Sequence, residues 1–378
     1  MAHPLQTAAI SQHPTISLMR TNEAVPHNLL ITGAYGVLGT GVTDAAIEDS
    51  RRRVITATRR APPSHHFAGR KAPLSLSVDL LDGSATRAAL AGIDGKIDLA
   101  FAAYVDGGSM EKSINANIAI LQNTLEALSA RDIPVGSVVL MGGAKSYGFH
   151  LGSMKTPARE SDPRLAAPIF YHRQEDILAE WAERHGATWT VLRPHMVFGP
   201  SIASPMNLVT GLATFAAICR ELGAPLRFPG SWGTWSALHQ TMDAQLFGRA
   251  SLWALDAEGA RNQVFNITNG DSFRWRHMWS VVAEVYGMET GEPQPMNLAS
   301  QMESMQPVWE RLVEKYDLVR TPYEQIANWG FLDAVLNWEE DIVLSTIKLT
   351  QAGFTEVIDT HDSLRRQLLR LREMKLVP

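Results

Sequence analysis

Leu29-Leu30-Ile31-Thr32-Gly33-Ala34-Tyr35-Gly36-Val37-Leu38-Gly39 is a short apolar run that breaks into glycines at i, i+3 and i+6. A helical pattern, Val42 to Glu48, follows and closes on the basic cluster Arg51-Arg52-Arg53. A second apolar run, Val54-Ile55-Thr56-Ala57-Thr58, ends in Arg59-Arg60. Strand, glycine turn, helix, strand is the first unit of a doubly wound α/β sheet. Each glycine has its own physical reason. Gly33 can take the positive φ of a tight turn. Gly36 has no Cβ to hold the backbone away from a pyrophosphate, and Gly39 lets the helix lie close to the strand. The N–H groups and positive dipole end of the helix then face an anion.

The spacing G-x-x-G-x-x-G is the form met in short-chain dehydrogenase/reductases. The end of the second strand chooses the cofactor. A carboxylate there would hold a ribose 2′-OH; Arg59 and Arg60 instead suit a 2′-phosphate, which guanidiniums grip by charge and by forked hydrogen bonds. The expected cofactor is NADP(H). Asp79, after the alternation Leu74-Ser75-Leu76-Ser77-Val78, falls where such folds touch the adenine.

The chain has 378 residues, 45% of them hydrophobic, enough for one large α/β domain with an attached lobe or for two domains. A formal charge of −5 gives no basic surplus for nucleic acid or an anionic membrane. The single cysteine, Cys219, sits in an apolar run and fits a reducing compartment; cytoplasm is the expected location. No stretch reaches the roughly 18–20 apolar residues of a membrane helix. Residues 1–27 read as a flexible leader without the apolar core of a secretory signal. His65-His66 has no metal-ligand spacing, and no metal is expected.

Downstream, Ser84–Leu90 reads as a short helix, and Ile97 to Ala103 as a strand whose end, Ala103-Tyr104-Val105, lies beside the cofactor. Ser113 to Ala130 is a long amphipathic helix carrying Asn117 among apolar neighbours. Val135–Met141 is the fifth strand and runs into Gly142-Gly143-Ala144-Lys145-Ser146-Tyr147-Gly148. A helix from Ile169 to about His185 precedes the sixth strand, Trp189–Leu192, and then Arg193-Pro194-His195-Met196-Val197-Phe198. Met242–Ala257 reads as a helix and Asn262–Asn266 as a strand. The expected organisation is a Rossmann-type dinucleotide-binding domain over 28–200 and a smaller, mostly helical substrate lobe over 201–378, with some elements returning to the sheet. Met206, Trp232, Trp235, Met242, Met305 and Trp309 suggest a roomy apolar pocket, and read equally well as core.

Reductases of this class use Y-x-x-x-K on one helix, where the Lys⁺ lowers the Tyr pKa. No Tyr in this chain has Lys at +4; after Tyr171 that position is Glu175. A pair assembled from two segments has a candidate in Lys145, after the fifth strand, and Tyr171, at the start of the helix. Here the sequence resembles the progesterone 5β-reductase/iridoid synthase-like family, atypical extended short-chain reductases. The likeness is carried by Gly33 to Gly39, Thr58-Arg59-Arg60, Gly143-Ala144-Lys145-Ser146-Tyr147, and Phe170-Tyr171 with Glu175-Asp176. It continues through Arg193-Pro194, Phe198-Gly199, Met206–Val209, Ala216–Cys219, Leu226–Phe228, Phe265–Trp275 and Pro307–Trp309, about residues 28 to 378 in all.

The resemblance implies NADPH-dependent reduction of the C=C bond of activated enones or enals, with Lys145 and Tyr171 as the catalytic pair. Expected cofactor contacts are Gly33, Tyr35, Gly36, Val37, Leu38, Gly39, Arg59, Arg60, Asp79, Leu80, Ala103, Tyr104, Lys145, Tyr171, Pro194, Met196 and Val197. Expected substrate contacts are Tyr104, His195 and Met206. The chain departs from the family in three places: its second Tyr is His172, its Arg-Pro-Gly-Asn stretch reads Arg193-Pro194-His195-Met196, and its pocket Trp corresponds to Tyr104. Alternatives on the same fold are a carbonyl reductase, a nucleotide-sugar epimerase and a non-catalytic NADP-binding regulator. A homodimer is compatible with all of them.

Overall fold

Seven parallel strands form one sheet. They are β1 (His27–Thr32), β2 (Arg52–Thr58), β3 (Leu74–Ser77), β4 (Ile97–Phe101), β5 (Val135–Met141), β6 (Thr188–Pro194) and β7 (Gln263–Ile267), in the spatial order β7-β6-β5-β4-β1-β2-β3. The computed structural model describes residues 27–60, 67, 70, 72–130, 133–201, 204 and 206–378; His65-His66 and the leader before His27 lie outside these. The central strand runs are apolar on both faces because helices cover both, so Leu30 and Leu29 of β1 enter cores on opposite sides, whereas the edge strand β3 alternates and is largely exposed.

On one face α2 (Gly83–Leu90), α3 (Met110–Ser129) and α4 (Phe170–His185) bury Leu90, Leu125 and Leu178. On the other, α1 (Val37–Glu48) lies with a helix from the second half of the chain. After α5 (Leu208–Glu221), α6 (Ala244–Asp256) packs Leu246 and Phe247 beside α1. The strand expected over Asn262–Asn266 is β7, which pairs with β6 and completes the sheet edge. Most of the remaining helices, among them α7 (Trp275–Tyr286), α8 (Trp329–Val335) and α9 (Thr360–Glu373), enclose a separate apolar core with α5.

Of the element boundaries that differ from expectation, two bear on the site. The first helix begins at Val37, not Val42, directly behind the extended Gly36. Met242-Asp243 is a short strand pairing with Val197-Phe198, and the helix proper starts at Ala244. There the Asp243 carboxylate accepts from the N–H groups of Gln245 (2.9 Å) and Leu246 (3.2 Å), an N-cap that fixes the start.

Candidate active site

β1 and β4 are neighbours whose chains leave in opposite directions, so a crevice opens at their C-terminal ends. Gly33 sits there with φ +63°, and a Cβ added to it would lie 2.6 Å from the Ala102 carbonyl oxygen. Glycine is required at this point for both conformation and space. A Cβ on Gly36 would meet only the Gly33 carbonyl, at 3.3 Å, so this side stays open to a ligand. On Gly39 it would lie 2.1 Å from that same carbonyl, which lets α1 lie close against the turn. Gly39 lines neither cavity of the crevice, and its close packing against the turn is what the structure shows of it.

Two adjoining cavities fill the crevice and share Gly33, Gly36, Arg60 and Tyr104. The smaller, about 80 Å³, is lined by Tyr35, Arg59, Asp79, Leu80 and Ala103. The larger, about 260 Å³, takes in Val37, Leu38, Pro194, Met196 and Val197 from one side and Lys145 and Tyr171 from the other. Apart from Gly39, every residue expected to contact the cofactor lines this crevice. The first turn of α1 has no side-chain cap and no acidic residue, so its N–H groups remain for an anion. Burial, then the charge of Arg59, lowers the pKa of Arg60. The residues fit a dinucleotide: open glycine backbone and a helix N-terminus offer donors to a pyrophosphate, and the Arg59 and Arg60 guanidiniums in the smaller cavity suit a further phosphate.

Secondary contacts hold this frame. Tyr35 Oη lies 3.1 Å from both Thr56 Oγ1 and Ser75 Oγ. Asn117 is fully buried; its Oδ1 accepts from Val105 N (3.0 Å) and its Nδ2 donates to Val105 O (2.7 Å). It therefore clamps the strand-end segment that carries Tyr104.

Lys145 belongs to a turn closed by Ser146 N to Gly143 O and Gly148 N to Lys145 O, both 3.0 Å. Tyr171 is in the first turn of α4. A Cβ on Gly143 would lie 2.8 Å from Tyr171 Oη, so the hydroxyl rests over the loop that carries Lys145. Among the described residues Tyr171 Oη has no hydrogen-bond partner, whereas beside the pair His172 Nε2 and the Ser146 carbonyl oxygen bond to each other. Burial, with a smaller contribution from Tyr104, pushes the Tyr171 hydroxyl well above the ordinary tyrosine range, so it keeps its proton. Burial lowers the pKa of Lys145, partly offset by Asp106. Lys145 is surface-accessible, but that surface lies along the crevice it lines.

His195 is buried and lines the larger cavity, its ring 5.1 Å from Phe149 and 5.5 Å from Trp338. Met196 takes φ +23°, uncommon for a side-chain-bearing residue, and its carbonyl is held by Met242 N (2.9 Å) and Thr241 Oγ1 (2.6 Å). Of the six Met and Trp residues read as a possible apolar pocket, only Met206 lines the cavity. Trp235, Met305 and Trp309 belong to the helical core, Met242 to the core under the sheet, and Trp232 is 53% exposed. The apolar wall is built instead by Phe149, Leu208, Phe331, Val335 and Trp338. Phe149 follows the Lys145 loop closely enough to have been a candidate; the residues from 331 to 338 carry no local signal.

A doubly wound parallel sheet with a glycine turn at its switch point and a Lys/Tyr pair facing it defines an extended short-chain reductase-type protein. The chain belongs to the family of PRISE-like Rossmann-fold domains, whose model matches residues 67–378. It is 33% identical over 364 residues to the (S)-8-oxocitronellyl enol synthase of Nepeta racemosa, covering 92% of this chain and 91% of that enzyme. It is 30% identical to the 3-oxo-Delta(4,5)-steroid 5-beta-reductase of Arabidopsis thaliana, covering 92% of each. UDP-glucose 4-epimerase of Thermotoga maritima superposes with a TM-score of 0.65 at 16% identity, over 92% of this chain and 99% of that one. A putative epimerase from Burkholderia cenocepacia gives 0.66 at 20%, with the same coverage. At such identities the two structures speak for the fold alone. Among the described residues no helix is long and apolar enough to cross a membrane.

Proposed function

We propose that the protein is an NADPH-dependent reductase of activated C=C bonds, acting on a small, largely apolar enone or enal. The observation that carries this reading is the Tyr171 hydroxyl, protonated and without a protein partner, in one cavity with Lys145. Reduced nicotinamide, when bound, supplies a hydride for the β-carbon of the enone. Tyr171 donates a hydrogen bond to the substrate oxygen, where negative charge grows, and Lys145 adds positive charge beside it. Donors so placed are worth a few kcal/mol each. Arg59 and Arg60 select the phosphorylated dinucleotide, and Phe149, Phe331 and Trp338 give the substrate's hydrocarbon an apolar wall. Water protonates the α-carbon. The two named relatives, an enol synthase and a steroid 5-beta-reductase, support this chemistry. A single free cysteine supports a reducing, cytoplasmic setting.

The test follows NADPH absorbance with 2-cyclohexen-1-one, progesterone, a citral-type enal and a saturated aldehyde, with NADH in parallel. Oxidation with the unsaturated substrates alone, yielding the saturated product by mass, is expected. Tyr171→Phe and Lys145→Ala should each lose about 10²-fold or more in kcat. Turnover of the saturated aldehyde alone would replace this reading with carbonyl reduction.

A further inference from the structure

The two segments that carry Lys145 and Tyr171 form a wall with two faces. Those two residues look into the cleft, whereas their chain neighbours Ser146, Tyr147 and His172 line a separate chamber of about 220 Å³ behind it. The chamber is polar and tightly bonded. Arg193 donates from Nε (2.9 Å) and Nη2 (2.7 and 2.8 Å) to the Glu175 carboxylate. Its Nη1 donates to the Tyr147 hydroxyl (3.0 Å), which in turn donates to Asn266 Oδ1 (2.6 Å). The cluster thus joins α4, β6, β7 and the loop after β5.

One side chain in the chamber bridges the two catalytic segments directly. His172 Nε2 lies 3.1 Å from the carbonyl oxygen of Ser146. A carbonyl only accepts, so Nε2 carries the hydrogen and donates. The other ring nitrogen, Nδ1, is buried without a hydrogen-bond partner and faces Glu175 Oε2 at 3.6 Å. Each end of the bridge is one residue from a group of the catalytic pair: Ser146 follows Lys145, and His172 follows Tyr171. The turn that holds Lys145 uses Ser146 N and Lys145 O for its own closure and leaves the Ser146 carbonyl to His172.

We propose that His172 is a positioning residue for the reduction, holding the Lys145 loop in register with the first turn of α4; this rests on the assignment of Lys145 and Tyr171 above. Lys145 reaches the reacting oxygen through four methylenes, so its reach is set by where the loop backbone sits. Without the bridge, that backbone keeps its own turn but loses its direct tie to α4. A misplacement of about 1 Å in such a group costs on the order of 10²-fold in rate.

The experiment is a double-mutant cycle in steady-state enone reduction, with NADPH affinity read from fluorescence and folding from thermal melting. His172→Phe keeps a ring and removes the donor; kcat should fall by roughly 10- to 100-fold. KM and NADPH affinity should stay within about threefold, because the lost interaction matters only in the transition state. His172→Gln, whose amide still donates, should lose several-fold less. In the Lys145→Ala background His172→Phe should cost almost nothing further, since nothing remains for it to position. Fully additive losses, a His172→Phe kcat within about twofold of wild type, or an equal collapse of NADPH affinity would each overturn the proposal. If His172→Phe does not fold, His172→Leu carries the same cycle. Wild type that reduces only the saturated aldehyde would refute the enone reading instead; the cycle run on that aldehyde would still decide His172, because charge grows on the same oxygen.

Discussion

His195 and His239 are buried imidazoles whose surroundings offer a proton little. Burial pushes His195 down to about 3, with His239 adding to the effect. Burial likewise pushes His239 down to about 4, Asp341 opposing and Arg274 reinforcing. His195 Nε2 and both ring nitrogens of His239 are buried without hydrogen-bond partners. In the unfolded chain both rings bind a proton near pH 6.5. Below that value the unfolded state holds more protons than the folded one, so stability falls as pH falls. Each ring contributes roughly 1.4 kcal/mol per pH unit until its folded pKa is reached. Urea unfolding from pH 7.5 to 5 should show a falling midpoint, with a clearly shallower fall in the His195→Phe/His239→Phe double variant. Equal slopes in the two proteins would sink the account. The sequence placed His195 correctly after the sixth strand but gave no sign of its burial. Its cover, Phe149 and Trp338, comes from distant parts of the chain that only the fold brings together. That Lys145 and Tyr171 face one cavity was legible because strand ends and helix starts are local features; the His172 bridge was not, since a hydrogen bond across 26 residues leaves no pattern.

At the scale of elements, α1 shows why strands were easier to place than helix starts. Buried parallel strands are continuous apolar runs and announce themselves. The first turn of α1, Val37-Leu38-Gly39-Thr40-Gly41, is rich in β-branched residues and glycine, poor helix formers whose pattern hides the start. Those glycines are fixed by tertiary packing instead. A Cβ on Gly41 would lie 1.7 Å from the Ala244 carbonyl oxygen, and one on Gly248 would lie 2.1 Å from the Gly41 carbonyl oxygen. Both obstacles are backbone, so no side chain can turn aside. Gly→Ala inside a helix normally stabilises by up to about 1 kcal/mol. Here the clash outweighs that gain, and Gly41→Ala or Gly248→Ala should each destabilise by about 3 kcal/mol or more. Gly92→Ala, where a Cβ meets nothing within 4 Å, is the control and should change little. Chemical denaturation of the three variants checks this; a neutral Gly41→Ala would mean that α1 and α6 are not packed backbone to backbone.

Across the whole molecule, the proposed division near residue 200 separates functions better than it separates folding units. The sheet takes its last strand, β7, from the second half, and α6 buries Leu246, Phe247 and Ala250 in the same core as Leu29, Ile31 and Val42. The C-terminal helix α9 reaches back in turn. Ser363 Oγ (2.6 Å) and Gln367 Nε2 (2.8 Å) donate to the fully buried Asp243 carboxylate, and Arg370 Nη2 donates to Asp44 of α1 (2.7 Å). A fragment ending at residue 200 would carry the glycine turn, Arg59, Arg60, Lys145 and Tyr171, the groups proposed above to hold the cofactor and polarise a substrate. It would also leave the sheet face beside α1 half uncovered, without α6, and a sheet stands only when its apolar faces are covered. The expected outcome for fragment 28–200 is a species that aggregates, or one with far-UV but no near-UV circular dichroism, and no measurable NADPH affinity. A soluble fragment with cooperative unfolding that still binds NADPH would overturn this and make the first half a domain in the folding sense. The interleaving has a functional logic. The cavity takes Lys145 and Tyr171 from the first half and Phe331, Val335 and Trp338 from the second, so its polar and apolar walls face one another only when both halves fold together.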